Sequence, residues 1–256
     1  MRLATLVDSL FVLLALASLG GTASAAPPKT LLLLAQGPDN HPAGTHEYLA
    51  GLEQLAKLLE PTAGLKVRVV TADEPWSEGP ALLGEADGVV MFLSEGARWT
   101  QADPRRQEAL ARLAARGGGL VALHWALGTK AAEPIEPFLK LLGGCHGGPD
   151  RKYQVVETEL RIADPGHPIT AGLTNFRARD EFYYQLKFVE PRGQIRPILQ
   201  ATIDGRSETV AWSWERPDGG RSFGFTGLHF HDNWKQAAYR KLIFQATLWT
   251  LKLPGG

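Results

Sequence analysis

The first half of this 256-residue chain alternates short, wholly apolar segments with segments of helical pattern. The apolar runs cover residues 31–35, 88–93 and 120–123, and residues 67–70 are read as a further strand between the first two. A strand that is apolar throughout is buried on both faces, as in parallel sheets covered by helices. Short connections between strands and helices favour the same arrangement. The pattern therefore predicts an α/β fold with a parallel sheet and helices on both faces.

Three helices can be placed in this sequence. The buried face of the first recurs at helical spacing, at Tyr48, Leu52, Leu55 and Leu59. Asp103 and Pro104 suit the N-cap and the first position of a second helix. A third helix is predicted over residues 233–251, at the end of the chain.

The second half of the chain alternates apolar and polar residues, which is typical of antiparallel strands with one solvated face. The predicted strands are 153–162, 182–189, 195–203 and 209–214. Residues 221–228 form one last apolar strand. We therefore expect an antiparallel β elaboration attached to the parallel core.

Residues 1–25 have the pattern of a secretory signal peptide. Arg2 is followed by an apolar run over residues 10–19 and by Ala23-Ser24-Ala25, a small-residue cleavage site. The alternative is an uncleaved anchor, but the apolar run is shorter than the about 20 residues of a membrane span. We expect cleavage after Ala25, export to the periplasm or the medium, no membrane insertion afterwards, and one domain over residues 26–256.

Charge and cysteine content limit the classes of partner and the sources of stability. The chain has 27 Lys and Arg against 27 Asp and Glu, so no basic excess attracts nucleic acid. A small molecule is the expected ligand. Cys145 is the single cysteine, which excludes an intramolecular disulfide.

Five of the seven histidines follow predicted strands from three separate segments of the chain. They are His41 and His46 after the first strand, His124 after the fourth, and His229 and His231 after the last apolar strand. In open parallel sheets, ligands bind outside the carboxyl ends of the strands. We therefore expect a histidine-rich pocket at that edge of the sheet.

The spacing of the histidines leaves their chemistry open. Imidazoles serve as general acids or bases, as ligands of zinc or a similar divalent metal, or as hydrogen-bonding partners of sugar hydroxyls. His229 and His231 are expected to point to one face, and His41 and His46 to converge across a turn. His146 lies in a glycine loop that either bends toward the pocket or only turns. His167 is expected to fix a turn.

Carboxylates and tryptophans near these histidines are further candidates. Asp180 and Glu181 are adjacent on a predicted strand, so only one is expected to enter a pocket. Their alternative role is a surface pair beside two arginines. Glu47 either joins the site or is a first-turn charge that suits the helix dipole. Trp125 and Trp234 are candidates for a sugar-stacking platform, although core packing is the commoner role.

Six stretches together resemble one known family, the trehalose-utilisation or ThuA-like family. They are HPAGTHEYLAG at 41–51, GGGLVALHWA at 117–126, GGCH at 143–146, HPITAGL at 167–173, DEFYY at 180–184 and AWSWERPDGGRSFGFTGLHFHDNW at 211–234. They occur in order over nearly the whole mature chain. The resemblance implies a flavodoxin-like fold similar to that of class I glutamine amidotransferases.

The chain departs from the amidotransferase pattern at the turn after the fourth strand. That superfamily has a cysteine nucleophile between glycines there, whereas this chain has His124 between Leu123 and Trp125. Amide hydrolysis by a thiol is therefore not expected. No Gly-x-Gly-x-x-Gly follows a strand, so no nucleotide cofactor is expected. The family name and its sugar-oxidoreductase neighbours imply a sugar or keto-sugar ligand.

Two hypotheses follow from the sequence. The first is an exported enzyme in which His124 is the general acid or base, Asp180 or Glu181 assists, and His46 and His229 bind a metal or sugar hydroxyls. In this first hypothesis, the remaining candidates for binding the substrate are His41, Glu47, Trp125, Tyr183, His231 and Trp234. The second is a non-catalytic carbohydrate-binding protein on an amidotransferase-like fold, since fold alone does not determine function.

Overall fold

The structure, a computed structural model, describes residues 27–191 and 194–255. The predicted signal peptide, residues 1–25, lies outside the described residues. The elements from the first half are β1 (Lys29–Ala35), α1 (Tyr48–Leu59), β2 (Leu65–Thr71), α2 (Gly79–Glu85), β3 (Gly88–Phe92), α3 (Gly96–Ala102), α4 (Pro104–Ala115), β4 (Gly119–Leu123) and β5 (Gly128–Thr129). Those that follow are α5 (Ile135–Leu142), β6 (Gly144–Gly147), β7 (Lys152–Ile162), β8 (Phe176–Tyr184), β9 (Lys187–Phe188), β10 (Ile195–Ile203), β11 (Arg206–Glu215), β12 (Arg221–Phe225) and α6 (Ala237–Thr250).

A nine-stranded sheet is the centre of the fold, with the strand order β2-β1-β3-β4-β12-β11-β10-β7-β8. The five strands from β2 to β12 pair in parallel, and those from β12 to β8 pair antiparallel. A small second sheet has the order β5-β6-β9. The predicted α/β class, with an antiparallel elaboration in the second half, is confirmed.

The apolar runs are continuous because the central strands face a core on each side. Leu31 and Leu33 of β1 pack in one hydrophobic cluster together with residues of α1 and α6. Leu32 and Leu34 pack in the other, with residues of α2, α3, α4 and α5. Side chains alternate across a strand, so both sets must be apolar when helices cover both faces.

The predicted helix signals hold for α1 and α4, whereas the last helix begins later than predicted. Tyr48 and Leu52 are buried on α1, and the side chain of Asp103 accepts a hydrogen bond from the backbone N–H of Arg105. A 3₁₀ turn over His231–Lys235 precedes α6, because Gln236 has an extended backbone between them. Within the described ranges, no helix is long and apolar enough to cross a bilayer.

The antiparallel half differs from its prediction mainly around β8. The predicted strand 182–189 is wrong in its bounds, since β8 starts at Phe176 and ends at Tyr184. Gln185 then has a positive φ of 51°, which turns the chain before β9 joins the small sheet. The helices α2, α3 and α5 were not predicted; they have seven, seven and eight residues.

Candidate functional site

Loops that follow β1 and β12 are joined by backbone hydrogen bonds above the carboxyl edge of the sheet. The N–H of His46 donates to the carbonyl of His229 over 3.0 Å, and the N–H of His231 donates to that of Gly44 over 2.8 Å. His124 directly follows β4, which neighbours β12. The topology therefore brings three histidine-bearing segments to one point, as the strand-end rule predicts.

Three imidazole nitrogens form a nearly equilateral triangle, which we call the histidine triad (His46, His124 and His229). His46 Nε2 lies 3.0 Å from both His124 Nε2 and His229 Nδ1, and the latter two atoms are 3.2 Å apart. A metal about 2.1 Å from each nitrogen would see angles of about 90–100° between them. This value lies between octahedral and tetrahedral geometry, so the triad fits a divalent metal with further positions open to a ligand.

Hydrogen bonds on the far side of two rings fix which nitrogen faces the centre of the triad. His124 Nδ1 lies 2.8 Å from the carbonyl oxygen of Thr226, and His46 Nδ1 lies 2.8 Å from Asp39 Oδ2. Both partners accept, so each Nδ1–H donates and each Nε2 turns a lone pair to the centre. Histidines that ligate metals are oriented in this way by carbonyls and carboxylates.

Burial keeps His124 and His229 of the triad neutral at neutral pH. Desolvation, together with the neighbouring imidazoles, holds the pKa of His124 well below its usual range. The same causes, burial and then His46 and His41, lower the pKa of His229 to about 4. Unprotonated imidazole is the form that binds metal. Lone pairs only 3.0 Å apart repel one another unless a proton or a cation lies between them.

Asp39 is the main residue of the site that the sequence analysis missed. Its Oδ2 accepts hydrogen bonds from His46 and from the Tyr48 hydroxyl, the latter over 2.6 Å, and its Oδ1 lies 2.8 Å from His41 Nδ1. Partial burial raises the pKa of Asp39, but the hydrogen bonds from His46, Tyr48 and His41 outweigh it and hold that pKa far below its usual range. The rings of His41 and His46 are 3.8 Å apart, which confirms their predicted convergence.

Asp180 supports the site from behind and does not enter the pocket, so its predicted catalytic position is wrong. Its buried carboxylate accepts hydrogen bonds from the backbone N–H groups of Leu228, His229 and Phe230, and from the Tyr239 hydroxyl. Burial raises its pKa to about 6, although these donors oppose the shift.

Left-handed backbone occurs in all three segments that carry the triad. The φ angles are +51° at His46, +49° at His124 and +82° at Leu228. Non-glycine residues in this region cost about 1–3 kcal/mol each, and such strain clusters at functional sites. At Leu228 the hydrogen bonds to Asp180 stabilise the unusual backbone and thereby position His229.

Glu181 enters the pocket where Asp180 does not, as the alternation of side chains along a strand predicts. Its Oε1 lies 3.7 Å from His229 Nδ1 and 3.9 Å from His124 Nε2. These contacts are not ion pairs at pH 7, because the imidazoles are neutral. Burial, and then the charge of Asp180, raises the pKa of Glu181 to about 7.

Tyr183 lies in a stack of three rings that leads away from the triad. Its ring is 4.6 Å from that of His124 and 3.9 Å from that of His146, nearly parallel to both. Its hydroxyl lies 3.1 Å from His124 Nε2. The Trp125 ring contacts the Tyr183 ring edge-on. Its indole packs against Gly128, where the Cβ atom of any other residue would lie 2.2 Å from it. The glycine loop therefore does bring His146 to the pocket.

A cavity of about 170 Å³ opens beside these groups. It is lined by His41, His46, Trp125, Lys130, His146, Arg151, Tyr153, Glu181 and Tyr183. Of the predicted substrate-binding residues, His41, Trp125 and Tyr183 thus share one cavity with Glu181 and with His46 of the triad.

Three predicted site residues lie elsewhere. Trp234 is 0% exposed, so it packs in the core and offers no face to a sugar. His231 does not line the cavity, and its Nε2 lies 3.1 Å from the Gln54 side-chain nitrogen on α1. Glu47 precedes α1, where its Oε1 accepts a hydrogen bond from the Gly44 N–H over 2.9 Å.

The remaining candidates have structural environments. Cys145 is fully buried, and burial raises the pKa of its thiol to about 12, which disfavours a thiolate nucleophile. His167 Nδ1 accepts a hydrogen bond from the Ile169 N–H over 3.1 Å, so it fixes a turn as predicted.

The fold and the site define an α/β protein with a flavodoxin-like parallel sheet and a histidine-rich pocket at the strand ends. The chain belongs to the ThuA family, described as trehalose utilisation, whose sequence profile matches residues 39–250.

Solved structures resemble the chain over nearly its whole length. A ThuA-like protein from Bacteroides uniformis is 17% identical, with a TM-score of 0.67 over 90% of this chain and 94% of its own. One from Parabacteroides merdae is 19% identical, with a TM-score of 0.64 over 88% and 90%. A glutamine amidotransferase from Thermotoga maritima is 9% identical, with a TM-score of 0.49 over 88% and 98%. Comparison with curated proteins gives no match. The TM-scores of the two ThuA-like structures show that they share the fold of this chain.

Proposed function

We propose that the protein is an exported enzyme that binds a divalent metal, such as zinc, at the histidine triad and acts on a sugar or keto-sugar. The observation that carries the proposal is the triangle of nitrogens, 3.0–3.2 Å apart, beside a carboxylate in an open cavity. His124 takes the position of a third ligand rather than that of a proton-transfer group, because both of its nitrogens are engaged.

Glu181 is the group best placed to move a proton. A pKa of about 7 lets a carboxylate accept and return a proton near neutral pH. The proposed step is proton abstraction from the carbon next to a keto group. The C–H bond breaks, its proton passes to Glu181, and its electron pair forms the C=C bond of an enolate. A divalent metal at the triad would supply a Lewis acid that stabilises the enolate oxygen.

The cavity suits a sugar in size and lining. Its volume of about 170 Å³ has room for one monosaccharide unit, and Trp125 contributes an aromatic surface of the kind on which sugar rings stack. Since residues 1–25 have the pattern of a cleaved signal, the proposed place of action is the periplasm or the medium. The proposed partner is this small molecule alone, without nucleic acid.

Hydrogen exchange tests the reaction. In deuterated buffer, zinc-loaded protein incubated with a panel of ketohexoses is expected to incorporate deuterium beside the carbonyl, measured by NMR. Glu181→Gln should slow exchange by about 10²–10⁴-fold while keeping its zinc, because general-base catalysis contributes this much. Glu159→Gln, on the exposed side of β7, is the matched control.

Two outcomes would contradict the proposed enzyme. Full exchange in the Glu181→Gln variant would remove the base from the mechanism. Sugar binding by calorimetry without any exchange would instead favour the non-catalytic carbohydrate-binding protein.

A further inference from the structure

One cation that lines the cavity lacks a counter-ion. Arg151 donates one hydrogen bond, from its Nη1 to the carbonyl of Gly148 over 3.2 Å, and among the described residues it forms no ion pair. A guanidinium has five N–H donors, so most of this group's donors have no protein partner. Arginine is the side chain best suited to bind carboxylates and phosphates in bidentate geometry.

Neighbouring carboxylates pair with lysines or lie at the triad, and none of them forms an ion pair with Arg151. Asp150, next to Arg151 in sequence, accepts a hydrogen bond from Lys187 Nζ over 2.9 Å. The second cation of the cavity, Lys130, lies 3.5 Å from a Glu95 oxygen. The cavity's own carboxylate, Glu181, lies at the triad, 3.9 Å from His124 Nε2 and 3.7 Å from His229 Nδ1.

The local backbone turns Arg151 back toward the cavity. Gly148 has a φ of +89°, which favours glycine, and its carbonyl accepts hydrogen bonds from both the backbone N–H and the side chain of Arg151. The positive charge of Arg151 lies close enough to His146 to lower the pKa of that imidazole, after burial, which is the largest cause. The guanidinium is therefore held at the His146 end of the cavity.

The ring stack separates this cation from the triad. His124 and His146 lie on opposite faces of the Tyr183 ring, at ring spacings of 4.6 and 3.9 Å. One end of the cavity thus has Glu181 and His46 of the triad, and the other has Arg151. Both ends line the same cavity of about 170 Å³, so one bound ligand can contact both.

We propose that the cavity takes a sugar with an anionic substituent, a carboxylate or a phosphate, which Arg151 binds at the end away from the triad. This inference rests on the proposed function in one respect, since it takes the same cavity to be the sugar site. It adds a class of substrate: a sugar acid or a sugar phosphate rather than a neutral sugar.

Calorimetry on the full chain with three probes tests the proposal: D-glucose, D-glucuronate and D-glucose 6-phosphate. At least one anionic probe should bind about tenfold tighter than glucose, since charge-assisted hydrogen bonds contribute this much. Which anion is preferred distinguishes a carboxylate from a phosphate. Arg151→Gln should abolish the preference. Arg177→Gln, an exposed arginine of β8 beside Glu157, should keep it.

Any of three results would overturn the inference. They are no preference for either anion over glucose, a preference that survives Arg151→Gln, and no measurable binding of either anion. Zinc content is measured on the same samples. If the unmodified chain binds no zinc, only the proposed metal site is contradicted, because calorimetry still measures the preference for an anion.

Discussion

Replacing Asp39 with asparagine should weaken zinc binding at the triad by about 10- to 100-fold, the usual effect of changing a group that orients a metal ligand. Asp39 accepts from His46, Tyr48 and His41 with two ionised oxygens. Asparagine has one acceptor oxygen, and its NH₂ group would face a donor. It also removes the negative charge that makes His46 a better ligand. The expected loss equals about 1.4–2.7 kcal/mol of binding free energy.

Competition with a chromophoric zinc chelator at pH 7 measures this loss. Asp204→Asn is the matched control, because Asp204 also accepts a hydrogen bond from a tyrosine, Tyr184, over 3.0 Å. Its zinc affinity should equal that of the unmodified chain. The reasoning is refuted if Asp39→Asn binds zinc within about twofold of the unmodified chain, or if both variants lose affinity equally.

Two further predictions concern stability, each measured by urea unfolding of metal-free protein. Asp180→Ala should lower the free energy of unfolding by about 3 kcal/mol or more, because several buried donors lose their acceptor; an unchanged midpoint would contradict this. The pKa of His146 is lowered to about 3, so the unfolded chain binds its proton first and stability falls as pH falls below about 6.5. Between pH 7 and pH 5 the free energy of unfolding of the unmodified chain should therefore fall by about 2 kcal/mol more than that of His146→Phe. Equal losses in the two proteins would show that His146 does not contribute.

The parallel core was predictable because a strand that is buried on both faces has a continuous apolar sequence. Residues 31–35 are apolar without alternation, and in the structure they face two cores in turn. The convergence of His46, His124 and His229 followed from the same logic, since each lies in the segment that follows a strand whose carboxyl end is at one edge of the sheet.

What the sequence concealed depends on contacts between distant residues. Asp39 gave no local signal, because its role arises only when α1 places Tyr48 beside it. Trp234 follows a site histidine closely, yet it is fully buried, and close approach of α1 at Gly51 leaves it no surface. The end of β8 was missed because Gln185, rather than a glycine, adopts the left-handed turn.

The central claim, a metal centre at the histidine triad, is tested most directly by anomalous diffraction at the zinc edge from crystals grown with zinc. The account predicts a peak about 2.1 Å from His46 Nε2, His124 Nε2 and His229 Nδ1, on the side that faces Glu181. A zinc peak elsewhere, or none within ligand distance of the triad, would contradict it.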